Sequence, residues 1–182
     1  MKEIIILGRG NGWSEAPDGE CWAPCSAMSC RINSQKELTR GFDIHGDSFE
    51  KADAFRKLAE DNNVDYYTQS KFPLEEIIDY FKTDYFANTI CYMIALAIYE
   101  GVEKIDFYGV NMNGPDEIYS IERACVEFWV GLAIGKGLEI NIHGERSSLL
   151  VVDRTNAAEP GIMYGYNNKQ RLDRHVLLKQ EG

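Results

Sequence analysis

The longest coherent hydrophobic pattern in the chain lies at residues 88–112. Ile90, Met93, Ile94, Ala97 and Ile98 recur at the spacing of one helical face, and Cys91, Ala95 and Leu96 leave almost no polar side, so the spacing predicts a buried helix. Asn88 or Thr89 is placed to cap its start, and Gly101 to end it in a left-handed turn. Residues 104–110, rich in aromatic and β-branched side chains, then read as a strand. The helix must run antiparallel to that strand. Its N-terminus is therefore expected beside the strand's C-terminal end, the edge at which open α/β sheets bind ligands.

The same reading extends to both sides. Ile4, Ile5, Ile6 and Leu7 form a continuous apolar run, the pattern of a strand covered on both faces in a parallel sheet. Further strands are expected at 41–45, 65–68 and 138–142, with 20–23 as a short candidate. Pro17, Gly19 and Pro24 leave the rest of 15–36 without usable periodicity. Helices are predicted over 48–62, over 73–81 with Pro73 in the first turn, and over 117–136. The buried stripe of the last is read as Ile121, Cys125, Phe128, Leu132 and Gly135. A short helix is expected near 146–150.

This alternation predicts an α/β fold: a three-layer Rossmann-like domain with a mostly parallel sheet holding strands at Ile4, Phe42, Phe107 and Ile140. The domain is expected over residues 1–150. Residues 151–182, with an apolar 162–166 and an amphipathic 171–179, read as an extension packing on that domain or on a partner subunit, which makes a homo-oligomer one expectation.

Composition narrows the functional classes. The 182 residues carry 19 basic and 29 acidic side chains, a net charge of −10, which disfavours a nonspecific nucleic-acid surface built from Lys and Arg. A small anionic ligand is compatible with it, because backbone N–H groups and one or two arginines can hold an anion locally. No charged, apolar leader precedes Ile4 and no run is long enough to span a bilayer, so a cytoplasmic protein is expected. Cys21, Cys25, Cys30, Cys91 and Cys125 are read as reduced thiols, and their spacing lacks the close pairs of a zinc site, so no metal is expected.

Candidate chemistry gathers at the ends of the predicted strands. Gly8, Gly10 and Gly12, with Asn11 and Ser14, form a loop directly after the first strand, which fits either a phosphate- or sugar-contacting loop or a glycine-rich turn without a ligand. It is not the dinucleotide fingerprint, since the third glycine is displaced and Pro17 prevents a long helix from Ser14. His45 ends another strand, where an anion ligand or general base and a structural histidine are both sensible readings. Tyr119, Glu122 and Arg123 occupy the first turns of the helix over 117–136, and Arg123 suits either the ligand edge or an i,i+4 pair with Glu127.

The order of these features carries a resemblance. A Gly-Asn-Gly-x-Ser loop after strand one, Phe-Asp-Ile-His at a strand end, Asn-Thr opening an apolar helix, a strand ending Tyr-Gly-Val-Asn and a late Ser-Ser-Leu-Leu resemble small proteins of tailed bacteriophages. More distantly, the arrangement is similar to bacterial sialyltransferases that use CMP-sialic acid and to the Rossmann-like pterin pyrophosphokinase group. The resemblance spans residues 3–150 and implies a nucleotide or nucleotide sugar as ligand rather than a resident cofactor.

Carried over residue by residue, it implicates Asn11, Gly12, Ser14, His45, Asn88, Thr89, Asn111 and Ser148 in nucleotide contacts. Trp22-Ala23-Pro24-Cys25 stands where the phage relatives show Trp-Gly-x-Asn, so Cys25 or Asn33 takes that asparagine's place. The insertion bearing the sialyltransferases' catalytic histidine is missing. Three functions are compatible with this. One is a metal-independent glycosyltransferase-like enzyme with His45 or His143 as base and Arg123 or Arg9 at the leaving phosphate. The others are a non-catalytic nucleotide-binding protein, such as one sequestering a host signal, and a structural protein on a degenerate transferase fold. For the first two, the pocket is expected to gather Gly10, Asn11, Gly12, Ser14, His45, Asn88, Thr89, Asn111 and Arg123.

Overall fold

The computed structural model describes residues 1–45, 51–114, 117–144 and 147–150. The predicted extension 151–182, residues 48–50 of a predicted helix, the loop residues 115–116 and the start of the predicted short helix at 146 lie outside the described residues. Strand β1 (Glu3–Leu7) leads through a 3₁₀ turn (Trp13–Glu15) to β2 (Cys21–Pro24), which runs straight into helix α1 (Cys25–Asn33). Then follow β3 (Arg40–Asp43), α2 (Ala52–Asp61), β4 (Asp65–Thr68), α3 (Leu74–Phe81), α4 (Thr89–Tyr99), β5 (Lys104–Tyr108), α5 (Glu117–Gly135) and β6 (Glu139–His143).

The six strands form one sheet in the order β4-β3-β2-β1-β5-β6, and every pairing is parallel. This is the three-layer Rossmann-like α/β fold. The alternation of side chains along β1 shows why its apolar run is continuous. Ile4 and Ile6 pack with α4 and α5 in one layer, while Ile5 and Leu7 face the other layer with α1. Right-handed crossovers explain the distribution of helices: steps toward β4 put α1 and α2 on one face, and steps toward β6 put α4 and α5 on the other.

Helix α4 is the centre of the larger core. Ile90, Cys91 and every residue from Met93 to Ile98 are buried. Both ends are anchored. Asn88 Oδ1 accepts the Cys91 N–H at 3.2 Å, as an N-cap should, and beyond the C-terminus Glu100 accepts from Arg40 at 2.6 Å and Lys2 at 3.0 Å. Burial favours the neutral carboxyl, yet the hydrogen bonds from Arg40 and Lys2 outweigh it and hold Glu100 below the ordinary carboxylate range. The Arg40 guanidinium also lies 4.4 Å over the Trp22 ring.

Three features depart from the sequence pattern. Helix α1 was not visible in it, because its interior is small and mixed in polarity. Its place is set by Met28 and Ala27 in the second core and by Arg31, which is buried and donates to the carbonyls of Ala16, Pro17 and Glu37. Arg31 thereby ties down the β1–β2 crossover, which contains no α-helix of its own. Strand β3 stops at Asp43, so His45 lies in the following loop rather than at the strand's last position.

The buried face of α5 is also turned relative to the predicted stripe. Cys125, Val126, Trp129, Val130 and Ala133 are buried, whereas Ile121 is 59% and Phe128 42% exposed. The Trp129 indole decides the rotation, since it donates to the Tyr85 carbonyl at 2.7 Å and packs against Phe81 and Phe86. Among the described residues no helix is long and apolar enough to cross a membrane.

The α5 rotation makes a prediction about two neighbours of similar chemistry. Trp129→Ala should lower unfolding stability by about 3–5 kcal/mol, while Phe128→Ala should cost roughly 1 kcal/mol or less. Urea denaturation of the two variants compares them directly, and equal losses would contradict this packing.

Candidate functional site

The order in which strands are added reverses at β1. From there the chain steps outward through β2, β3 and β4, then returns through α3 and α4 to β5 on the opposite side of β1. Loops leaving β1 and β5 diverge toward different layers, and a crevice opens beyond the C-terminal ends of those strands. In this protein it is a cavity of about 500 Å³, within the range that accommodates a small ligand.

Its floor is the crossing of the two loops. The Gly8 N–H donates to the Tyr108 carbonyl at 2.7 Å and the Gly10 N–H to the Gly109 carbonyl at 2.8 Å. A Cβ on Gly8 would stand 2.3 Å from the Gly109 oxygen, and one on Gly10 2.6 Å from the Asn111 side chain. The glycines are needed for this contact between backbones. Their own amides already have carbonyl acceptors, so phosphate contact from this loop does not fall to Gly10.

Two helices aim their N-termini at the cavity from opposite layers. Cys25 and Ser26 open α1, and Asn88, Thr89 and Ile90 open α4; all five line the space. The Asn88 cap serves Cys91, while the N–H groups of Thr89 and Ile90, in the first turn, have no acceptor within the helix. Helix α1 starts after Pro24, which supplies no side-chain cap. In a chain of net charge −10, these two positive helix ends and Arg9 are what make the cavity receptive to an anion, with Glu122 on its rim.

The far wall is the loop after β5. The Ser148 hydroxyl donates to the carbonyls of Asn111 (2.9 Å) and Met112 (2.8 Å), and Ser147 to Val110 (2.8 Å), fixing the loop from behind. Asn111 Oδ1 is buried and has no hydrogen-bond partner among the described residues.

A polar cluster occupies the α1 side. Asp43 is buried; its Oδ1 lies 2.6 Å from His45 Nδ1, and its Oδ2 accepts from the Tyr66 hydroxyl at 3.0 Å. Cys25 Sγ is 3.9 Å from the same His45 nitrogen. Burial, reinforced by the Asp43 charge, pushes the Cys25 thiol up to about 12, and the same two causes raise Tyr66. Burial likewise raises Cys21 to about 11. All five cysteines are free thiols.

Among the residues singled out from sequence, Gly10, His45, Asn88, Thr89 and Asn111 line this one cavity. Gly8, Arg9, Cys25, Tyr119 and Glu122, also marked in the sequence, line it too, whereas the remaining candidates do not. Gly12 adopts φ 90° at the start of the 3₁₀ turn and faces Gly144, Asn11 and Ser14 are exposed on that loop, and the Ser148 hydroxyl is engaged behind the wall. Arg123 pairs with Glu127 at 2.9 Å along α5. His143 stacks on Tyr108 and meets Asp106 at 2.8 Å outside the cavity. Sequence reasoning missed Asp43 and Ser26. The signal for Asp43 was its position two residues before His45 at a strand end; Ser26 was hidden with the unpredicted α1.

No protein-family model matches the chain. No curated protein matches it either. Solved structures resemble it at low identity. Thiamine pyrophosphokinase from Bacillus subtilis aligns with TM-score 0.46 and 11% identity over 78% of this chain and 60% of that one, so the match spans less than two thirds of that protein. The sialyltransferase CstII from Campylobacter jejuni with cytidine-5'-monophosphate aligns with TM-score 0.45 and 16% identity over 100% of this chain and 96% of that one. The same sialyltransferase with the substrate analogue CMP-3FNeuAc gives TM-score 0.43 and 16% identity over 82% and 84%. These likenesses concern the arrangement of elements and assign no residue a role.

The loop crossing can be tested against an isolated glycine. Gly101 has φ 71° with nothing near its Cβ position, so Gly101→Ala should cost only the left-handed backbone term of about 1–2 kcal/mol. Gly8→Ala must separate two hydrogen-bonded backbones and should cost clearly more, read as the shift in urea midpoint. Equal midpoints for the two variants would mean that the loops part easily.

Proposed function

We propose that the protein binds a nucleotide or nucleotide sugar in the cavity between β1 and β5, with the phosphate at the N-termini of α4 and α1. The observation that carries this reading is the convergence of two helix N-termini on one cavity at the point where the strand order reverses. The N–H groups of Thr89 and Ile90 face a phosphate oxygen, and Arg9 adds a cation at the rim. Asn111 Oδ1 supplies an acceptor for a donor group on the base or sugar, and Val110 and Met112 offer apolar surface to the ring.

A second reading, glycosyl transfer, is favoured by the Asp43–His45 pair. Asp43 orients the imidazole, and a ring so held takes the proton of an acceptor hydroxyl. The hydroxyl oxygen forms the new bond to the sugar carbon while the bond from that carbon to the phosphate oxygen breaks. The charge freed on the phosphate is then held at the helix N-termini.

Both readings are tested by titrating the protein with nucleoside monophosphates and nucleotide sugars. Asn88→Asp keeps a capping oxygen but places a carboxylate at the phosphate position, so it should weaken binding at least tenfold while leaving the fold intact. Binding equal to the unsubstituted protein would refute the phosphate placement. His45→Ala should abolish turnover of a nucleotide sugar with little change in affinity. A protein that binds but never turns over leaves the binding function and removes the transfer reading.

A further inference from the structure

At the mouth of the cavity three side chains of different ligand chemistry meet: a thiol, a carboxylate and an imidazole. We propose that Cys25, Asp43 and His45 form a binding site for one divalent ion of the zinc class, with a fourth coordination position open to the cavity. The inference stands on this cluster alone and does not depend on the nucleotide reading.

The donor set comes first. Sulfur, nitrogen and oxygen donors together suit a borderline-soft ion, and three protein ligands with one open position is the arrangement of zinc sites that act on a bound molecule. Among the described residues this is the one place where three such groups converge, with their ligand atoms all within 4.8 Å of one another. The sequence pattern points away from a metal because it contains no close cysteine or histidine pairs. Here the ligands come from the first turn of α1, the last residue of β3 and the loop after it.

The distances need only a small adjustment. Tetrahedral coordination separates a nitrogen and an oxygen ligand by about 3.3 Å and a sulfur and a nitrogen ligand by about 3.6 Å. Cys25 Sγ and His45 Nδ1 are 3.9 Å apart, and His45 Nδ1 and Asp43 Oδ1 2.6 Å apart, the length of a shared proton. Replacing that proton by an ion opens the second distance by roughly 0.7 Å. The adjustment falls to the outermost ligand, since the His45 side chain is 49% exposed while Cys25 and Asp43 are held in the core.

The surroundings of the carboxylate fit as well. Tyr66 donates its hydroxyl to Asp43 Oδ2, which orients Oδ1 toward the other two ligands; metal-bound carboxylates are commonly steadied in this way. Cys25 also lines the cavity, so an ion on its sulfur would stand beside whatever the cavity holds.

The 182-residue protein, stripped with chelator and reduced, should be titrated with cobalt(II) and then with zinc, with no nucleotide present. The expected result is one equivalent of cobalt with a thiolate-to-cobalt charge-transfer absorption that zinc displaces. Cys25→Ser should remove the absorption, His45→Gln should weaken binding at least tenfold, and Cys30→Ser should change neither. Tyr66→Phe should weaken binding about tenfold or more with unchanged stoichiometry. Circular dichroism verifies the fold of each variant, and the surface position of His45 makes that variant the safest. Absence of tight cobalt binding, or an absorption that survives Cys25→Ser, would overturn the site and leave an Asp–His pair beside a thiol. Because nucleotide binding is measured separately, either proposal can fail without the other.

Discussion

The Gly8 and Gly10 amides reach across to the carbonyls of Tyr108 and Gly109, holding the loops that leave β1 and β5 in van der Waals contact. Contact at this distance leaves no room for a Cβ on either glycine. With the loops joined at their base, each can diverge into its own layer, and the cavity is the space between them. A glycine-rich stretch after the first strand of such a sheet invites the interpretation that its amides cradle phosphate. Here those two amides are taken by carbonyls of the neighbouring loop, and the first-turn amides of the helices at the cavity are the ones without an intrahelical acceptor.

The position of those helix ends depends on how α4 is held. Its apolar cylinder buries against the sheet without specifying where along its axis it stops, because one Ile or Ala is much like the next. Polar contacts at the two ends set the axial position: Asn88 at the cavity, and Glu100 with Arg40 and Lys2 at the opposite edge of the sheet. Inside, the Cys91 thiol donates to Asn88 Oδ1 and stands 3.2 Å from Cys125 Sγ, linking the capped turn of α4 to α5. Burial and the Cys125 contact raise the Cys91 thiol, so its sulfur behaves as a neutral packing group.

The charge distribution follows from the same geometry. An acidic chain would repel an anion over most of its surface, yet the helix dipoles concentrate positive potential at one point. Arg31 and Arg40 do not contribute there. Arg31 is bound to two carbonyls of the β1–β2 crossover and to the Glu37 carbonyl before β3, and Arg40 stacks on Trp22 and pairs with Glu100. Arg123 likewise satisfies Glu127. Arg9 is the arginine that lines the cavity.

By itself, the sequence determined which segments form the parallel sheet and where α4 begins. A continuous apolar run, a helical apolar period, a capping Asn and a terminating Gly are local signals, carried by neighbours in the chain. It also marked Gly10, His45, Asn88, Thr89 and Asn111, because residues at strand ends and helix starts converge in any such sheet.

Tertiary structure alone decided the rest. The face of α5 that is buried depended on Trp129 finding the Tyr85 carbonyl, and two apolar stripes of equal period are indistinguishable without that partner. Helix α1 has too weak a period to announce itself and is placed by Arg31 and Met28. The joining of Cys25 to Asp43 and His45 needed the pairing of β2 with β3, since no spacing along the chain encodes a distance across two parallel strands.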